Sequence, residues 1–211
     1  MMTTEFEQAY RVTDTIYEAI RASMATRTRM IVAIDGRCAA GKSTVAQILA
    51  ERLQASLIHM DDFFLRPSQR TPERLATPGE NIDHERFLQE VLLPLKENRP
   101  FTFRPFLCWT QSFGDPIQVT PTAVTIIEGS YACHPSLREH YDLRVFLTVD
   151  PEEQMERIRK RNRDYATVFR DLWIPLEETY FRECAVRECC DLLTDTSAHN
   201  MEYGIEKSRK Y

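Results

Sequence analysis

No C-x-x-C pair occurs among the six cysteines, and the five histidines fall at no metal-ligand spacing, so a zinc site is not expected. Positive charge is not in excess. A net charge of −5 excludes a global basic field that would gather nucleic acid, and it reads most simply as solubility. No apolar run approaches the ~20 residues needed to cross a bilayer. The opening residues, MMTTEFEQAY, are acidic and lack an apolar stretch, so no signal peptide is expected. Internal repeats and low-complexity tracts are missing as well. These absences predict a soluble, reduced, cytoplasmic protein with no membrane or nucleic-acid partner. The 211 residues suffice for a single domain, 1–211, with a sizeable core and room for an insertion. The sequence leaves the oligomeric state open, a homo-oligomer included.

Apolar residues are arranged in two different ways. Val12, Ile16, Ile20 and Met24 recur every four residues and predict a helix over 3–25. Met30-Ile31-Val32-Ala33-Ile34 is instead a short continuous run, as suits a strand buried on both faces of a parallel sheet. Further strands are predicted at 56–60, 123–127, 144–149 and 191–194. Helices are predicted from Lys42 to Leu53, after Asp150-Pro151, and over 175–190. Asp150 supplies a cap there, and Pro151 sits where a missing N–H does no harm. Strands alternating with helices indicate an α/β fold with a mainly parallel sheet of about five strands. The stretch 66–122 differs, holding eight of the eleven prolines and only broken periodicity. It reads as an insertion of the kind that carries substrate specificity. Its expected parts are a helix over 84–97 begun by Asp83, and a hairpin pairing 101–107 with 117–120 across Ser112-Phe113-Gly114-Asp115.

The strongest motif is Gly36-Arg37-Cys38-Ala39-Ala40-Gly41-Lys42-Ser43, followed by Thr44. It fits G-x-x-x-x-G-K-[ST] between a predicted strand and a predicted helix. The glycines permit a tight turn whose N–H groups form a nest for phosphate oxygens. The helix N-terminus adds partial positive charge at the same point. Lys42 reaches the β- and γ-phosphates, and the Ser43 hydroxyl is a hard ligand for Mg²⁺. Asp35, just before the loop, either orients it or sits near the metal.

Asp61 and Asp62 follow the second predicted strand, and Glu128 ends the third. The carboxyl ends of parallel strands form the ligand crevice of an open α/β sheet, so these carboxylates are expected to face the phosphates. Phosphoryl transfer to an alcohol needs its hydroxyl oriented and its proton accepted. Asp61 is assigned as that base, and Glu128 as the metal-side group.

The ordered set Gly36–Thr44, Asp61-Asp62-Phe63-Phe64, Asn81-Ile82-Asp83-His84 and Ile127-Glu128-Gly129 resembles the uridine kinase and phosphoribulokinase-like group of P-loop kinases. The resemblance covers roughly residues 30–195. It implies ATP and Mg²⁺ as cofactors, a five-stranded parallel core, and a basic lid after the fourth strand. It also implies Asp61 as the base for a 5′-hydroxyl and Asp83 as the residue that holds ribose hydroxyls, with His84 beside it. The lid is expected at about 157–170, where Arg157-Ile158-Arg159-Lys160-Arg161-Asn162-Arg163-Asp164 carries five cations in seven positions. Such charge suits a transferring phosphoryl group, and it equally suits a solvated helix face. Arg161 and Arg163 are the favoured lid residues. Arg104 and Trp109 fall where uridine kinases carry a Tyr and a His that recognise the pyrimidine. An arginine there pairs better with a carboxylate or phosphate. The pair Asp61-Asp62-Phe63-Phe64 and Trp173-Ile174-Pro175, with Tyr180, is also similar to nicotinamide riboside kinases. The expected function is therefore phosphoryl transfer from ATP to a small-molecule hydroxyl, a nucleoside first. A small metabolite with an anionic group is the alternative acceptor. A nucleotide-binding regulatory ATPase is the alternative of another class.

Overall fold

The structure is a computed structural model that describes residues 4–198. Helix α1 (Thr4–Met24) leads into β1 (Met30–Gly36), α2 (Lys42–Leu53) and β2 (Ser56–His59). A 3₁₀ turn, Met60–Phe63, then opens the insertion. The insertion contains α3 (Pro72–Ala76), α4 (His84–Phe87), α5 (Leu93–Lys96) and the short strands β3 (Phe101–Phe103), β4 (Phe106–Leu107), β5 (Ser112–Phe113) and β6 (Ile117–Val119). The chain returns to the core with β7 (Val124–Glu128), β8 (Leu143–Thr148) and α6 (Pro151–Arg161). It ends with α7 (Ala166–Val168), α8 (Ile174–Glu183), α9 (Val186–Cys189) and β9 (Leu192–Asp195).

The main sheet has five strands in the order β2-β7-β1-β8-β9, all parallel. Successive side chains of a strand point to opposite faces. In β1, Val32 and Ile34 therefore enter one core cluster and Ala33 enters the other. Both faces are covered, which is why the run Met30–Ile34 has no polar alternation. One face packs against α1 and α2, where Ile16, Ile20, Val45 and Leu49 are fully buried. The opposite face packs against the insertion helix through Phe87, Val91 and Leu92, and against α8 through Tyr180 and Phe181. Among the described residues, no helix is long and apolar enough to cross a membrane.

Three elements differ in detail from the sequence expectation. The helix expected over 84–97 is interrupted by a π turn at Leu88–Leu92, two residues before Pro94. A proline ring clashes with the carbonyl four residues earlier, and a widened turn relieves that clash. The same arrangement recurs at Phe169–Trp173, ahead of Pro175. The helix expected over 175–190 breaks at Ala185, which adopts a left-handed φ of 49°. In the hairpin, β3 pairs with β6 as expected. Phe106 and Leu107, however, pair with Phe113 and Ser112. The chain thus reverses through 108–111, with Gln111 at φ 54°, rather than across Ser112–Asp115.

Candidate active site

β1 is the central strand, flanked by β7 and β8, and its carboxyl end is where the phosphate loop begins. Gly36 takes φ +132°, and an added Cβ would lie 2.0 Å from the backbone oxygen of Leu147 in β8. Gly41 takes φ +82° with nothing within 4 Å of an added Cβ, so backbone conformation alone selects glycine there. This contrast is testable by thermal melting. Gly36→Ala should cost roughly 3 kcal/mol or more, from overlap and strain together. Gly41→Ala should cost about 1–3 kcal/mol, from strain alone.

The first hydrogen bond of α2 runs from the Val45 N–H to the Gly41 carbonyl. The N–H groups of Lys42, Ser43 and Thr44 thus meet no earlier carbonyl of the helix, and they suit an anion. Lys42 folds over the loop and donates to the carbonyls of Gly36 (2.7 Å) and Arg37 (3.0 Å). Ser43 donates to Glu128 Oε2 at 3.3 Å, and Glu128 Oε1 lies 2.5 Å from His59 Nδ1. His59 stands opposite Glu128 in the parallel register. This hydrogen bond holds the imidazole above its ordinary pKa. Ser43 and Glu128, 3.3 Å apart, offer hard oxygen donors of the type that holds Mg²⁺ beside phosphates. The residues present therefore fit a magnesium nucleotide.

Asp35 is fully buried. It accepts from the N–H groups of Gly36 (2.7 Å) and Cys133 (2.8 Å) and from the Tyr180 hydroxyl (2.8 Å). Of its two readings, the structure selects orientation of the loop. Burial pushes its carboxyl up to about 6 against the opposing pull of these donors.

A cavity of about 800 Å³ joins the phosphate loop to the start of the insertion. Cys38, Ala39, Gly41, Lys42, Ser43, Thr44, Glu128 and Asp61 all line it. Asp61 is solvent-accessible through this cavity yet closely surrounded by protein, and that desolvation raises its pKa. Asp62 is not on the lining. Of the basic run, Arg161 lines the cavity and Arg163 does not. Arg157 is taken up by structure, bonding to the Ala39 carbonyl (3.1 Å), Thr196 and Glu153.

The remaining sequence candidates sit elsewhere. Asp83 is 1% exposed; it caps α4 by accepting from the Arg86 N–H, with Arg66 and Arg86 each 3.6 Å from its Oδ2. His84 stacks on His134 at 4.1 Å, with its Nε2 3.1 Å from Glu80. Arg104 donates to the backbone carbonyls of Gly114 and Phe113 across the hairpin. Trp109 is 80% exposed at the hairpin tip. None of these four lines the cavity. In their place are Arg70, Asn81, Tyr131 and Trp173.

The fold also brings His134 to Glu80 and His84, which are four residues apart on the insertion. His134 Nδ1 accepts from the Ser136 N–H, which leaves the ring proton on Nε2, facing Glu80. That tautomer suits a hydrogen-bonded cluster rather than a ligating imidazole. Sequence reasoning also passed over Ser130 and Glu177. Ser130 follows the Glu128-Gly129 pair directly, a signal that could have found it. Glu177 had none.

The family model for the phosphoribulokinase / uridine kinase family matches residues 31–189. The chain belongs to that family. A curated relative, uridine-cytidine kinase C of Dictyostelium discoideum, is 30% identical over 138 residues. That alignment takes in 62% of this chain but 30% of the relative, so the chain spans well under half the length of the curated protein it matches. Solved structures show the same fold. A Bacillus stearothermophilus protein described as a possible uridine kinase gives a TM-score of 0.64 at 21% identity, covering 87% of this chain and 97% of that one. D-glycerate 3-kinase of Cryptococcus neoformans gives 0.62 at 11% identity, covering 94% and 98%. Proteins with this fold thus differ in the acceptor that their names carry.

Proposed function

We propose that the protein transfers the terminal phosphoryl group of ATP to a hydroxyl of a small molecule, with a nucleoside as the first acceptor class. The observation that carries this reading is the shared cavity of Asp61 and the phosphate loop. In it the loop N–H groups and Lys42 hold the phosphates. Ser43 and Glu128 would hold Mg²⁺, which when bound would offset negative charge on the phosphates. Asp61 orients the acceptor hydroxyl and takes its proton. Arg161 faces the same space and balances charge on the phosphoryl group. Arg163 is the second lid cation in this proposal. Asp83, His84 and Arg104 then act behind the site, in the frame of the insertion, while Trp109 stands exposed at the hairpin tip.

A second reading has its own support. Arg70 lines the cavity, which favours an acceptor carrying a carboxylate or phosphate. An acceptor screen by coupled ADP release decides between the two. A nucleoside acceptor should be used by wild type and by Arg70→Ala with kcat/KM values within about threefold of each other. An anionic acceptor should lose roughly 10- to 100-fold in Arg70→Ala, the range of one charge-assisted contact. ATP hydrolysis indifferent to every acceptor would instead indicate the regulatory ATPase.

A further inference from the structure

The second variable residue of the phosphate loop already holds an anion of the protein's own. The Cys38 N–H donates to Glu177 Oε2 at 2.9 Å. Glu177 is 6% exposed, lies in the first turn of α8, and lines the cavity beside Lys42 and Ser43. Its other oxygen, Oε1, accepts from the Ser130 hydroxyl at 2.6 Å. The Ser130 oxygen in turn lies 3.4 Å from the Lys42 ammonium. A single hydroxyl therefore separates the carboxylate from the cation that meets the β- and γ-phosphates. Its charge also reaches the neighbouring thiol: after burial, Glu177 is the next cause that pushes Cys38 up to about 12.

The rest of α8 ties the same helix to the loop. Glu178 accepts from Arg37 Nε at 2.6 Å, and Tyr180 donates to Asp35. Upstream, the π turn Phe169–Trp173 runs directly into α8, and its Phe169, Leu172 and Trp173 form part of the cavity wall. A shift of α8 would carry this wall with it.

We infer that Glu177 is an internal anion that occupies the phosphate loop in the empty protein and is displaced by the terminal phosphate, coupling nucleotide entry to the 169–173 wall. The inference rests on the proposed ATP-binding role of the loop. Two anions cannot share the Cys38 N–H, and like charges a few ångströms apart in a partly buried site repel strongly. In this inference the penalty falls on the terminal phosphate, which ADP lacks, so it should weigh on ATP more than on ADP.

The test is direct binding of Mg-ATP and Mg-ADP by calorimetry, without any acceptor. Glu177→Gln keeps the shape and one acceptor oxygen while removing the charge. It should bind ATP on the order of tenfold more tightly than wild type, with ADP changed by less than about threefold. Glu177→Ala should shift in the same direction. Glu178→Gln, which loosens α8 without touching the anion at Cys38, should move both nucleotides alike. Wild type that binds ATP while both Glu177 variants bind it no more tightly would overturn the inference alone. Equal gains for ATP and ADP would do the same. Loss of the fold in both variants would also overturn it, because a displaceable anion is not indispensable to folding. Wild type that binds no ATP would overturn the functional reading, and this inference with it.

Discussion

Asp61→Asn should lower kcat on the order of 10²- to 10⁴-fold, the usual contribution of a positioned base, while leaving the Kd for Mg-ATP within a few-fold of wild type. The amide keeps the size of the side chain and can still touch an acceptor hydroxyl, but it cannot take the proton. Single-turnover kinetics with the best acceptor would measure the loss, and calorimetry the binding. The pH dependence gives a second reading of the same group. Desolvation raises the Asp61 pKa above its usual carboxylate value, and the nearby Lys42 opposes that shift without cancelling it. Transfer requires the ionised form, so wild-type activity should rise with pH, with a midpoint above the ordinary carboxylate range. The linked effect on stability has the opposite sign. A carboxyl whose pKa is raised by folding binds its proton more tightly in the native state, so its ionisation destabilises the fold as pH climbs past that pKa. Asp61→Asn removes this burden and should melt no lower than wild type at neutral pH. A catalytically dead variant that is at least as stable would separate a base from a merely structural carboxylate. Normal turnover by Asp61→Asn would reject the assignment.

How much of this site could be read from the chain depends on how far apart its partners lie. The loop Gly36–Ser43 announces itself because turn, helix start and cation are covalent neighbours. The strands were legible for a related reason: β1, β7 and β8 are buried on both faces, and that burial forbids alternation along the run. Asp61 and Asp62 could be placed at a strand end, but their different fates could not, because a 3₁₀ turn sends only Asp61 to the cavity. Asp83 was correctly legible as the start of a helix. Its burial between Arg66 and Arg86 depends on how the insertion folds back on Phe63, and no local pattern records that. Glu177 meets a loop 139 positions away and belongs to no motif, so only the fold could reveal it. Prolines carried more information than periodicity did. Pro94 and Pro175 each sit just beyond a π turn, and each marks where a helix deviates from its expected course.

Lys42→Ala is expected to impair the protein twice over, in ways that different measurements separate. Lys42 is 9% exposed, and its ammonium donates to the carbonyls of Gly36 and Arg37. Removing it leaves two loop carbonyls without their donor, which costs about 1–3 kcal/mol where water cannot replace it. The melting temperature should fall accordingly. With nucleotide present, the same ammonium supplies a charge-assisted contact to phosphate of ~1.5–3 kcal/mol, so the Kd for ATP should rise by roughly 10- to 100-fold. The larger loss is expected in kcat, on the order of a further 10²- to 10³-fold, because charge on the transferring group is greatest in the transition state. Lys42→Arg sharpens the test. It keeps the charge but replaces a compact ammonium with a planar fork that the narrow space between the Gly36 and Arg37 carbonyls does not match. Arginine should therefore restore part of the binding and little of the turnover. Undiminished turnover in Lys42→Ala would remove the loop from the chemistry, and the position of Asp61 in the same cavity would lose its meaning.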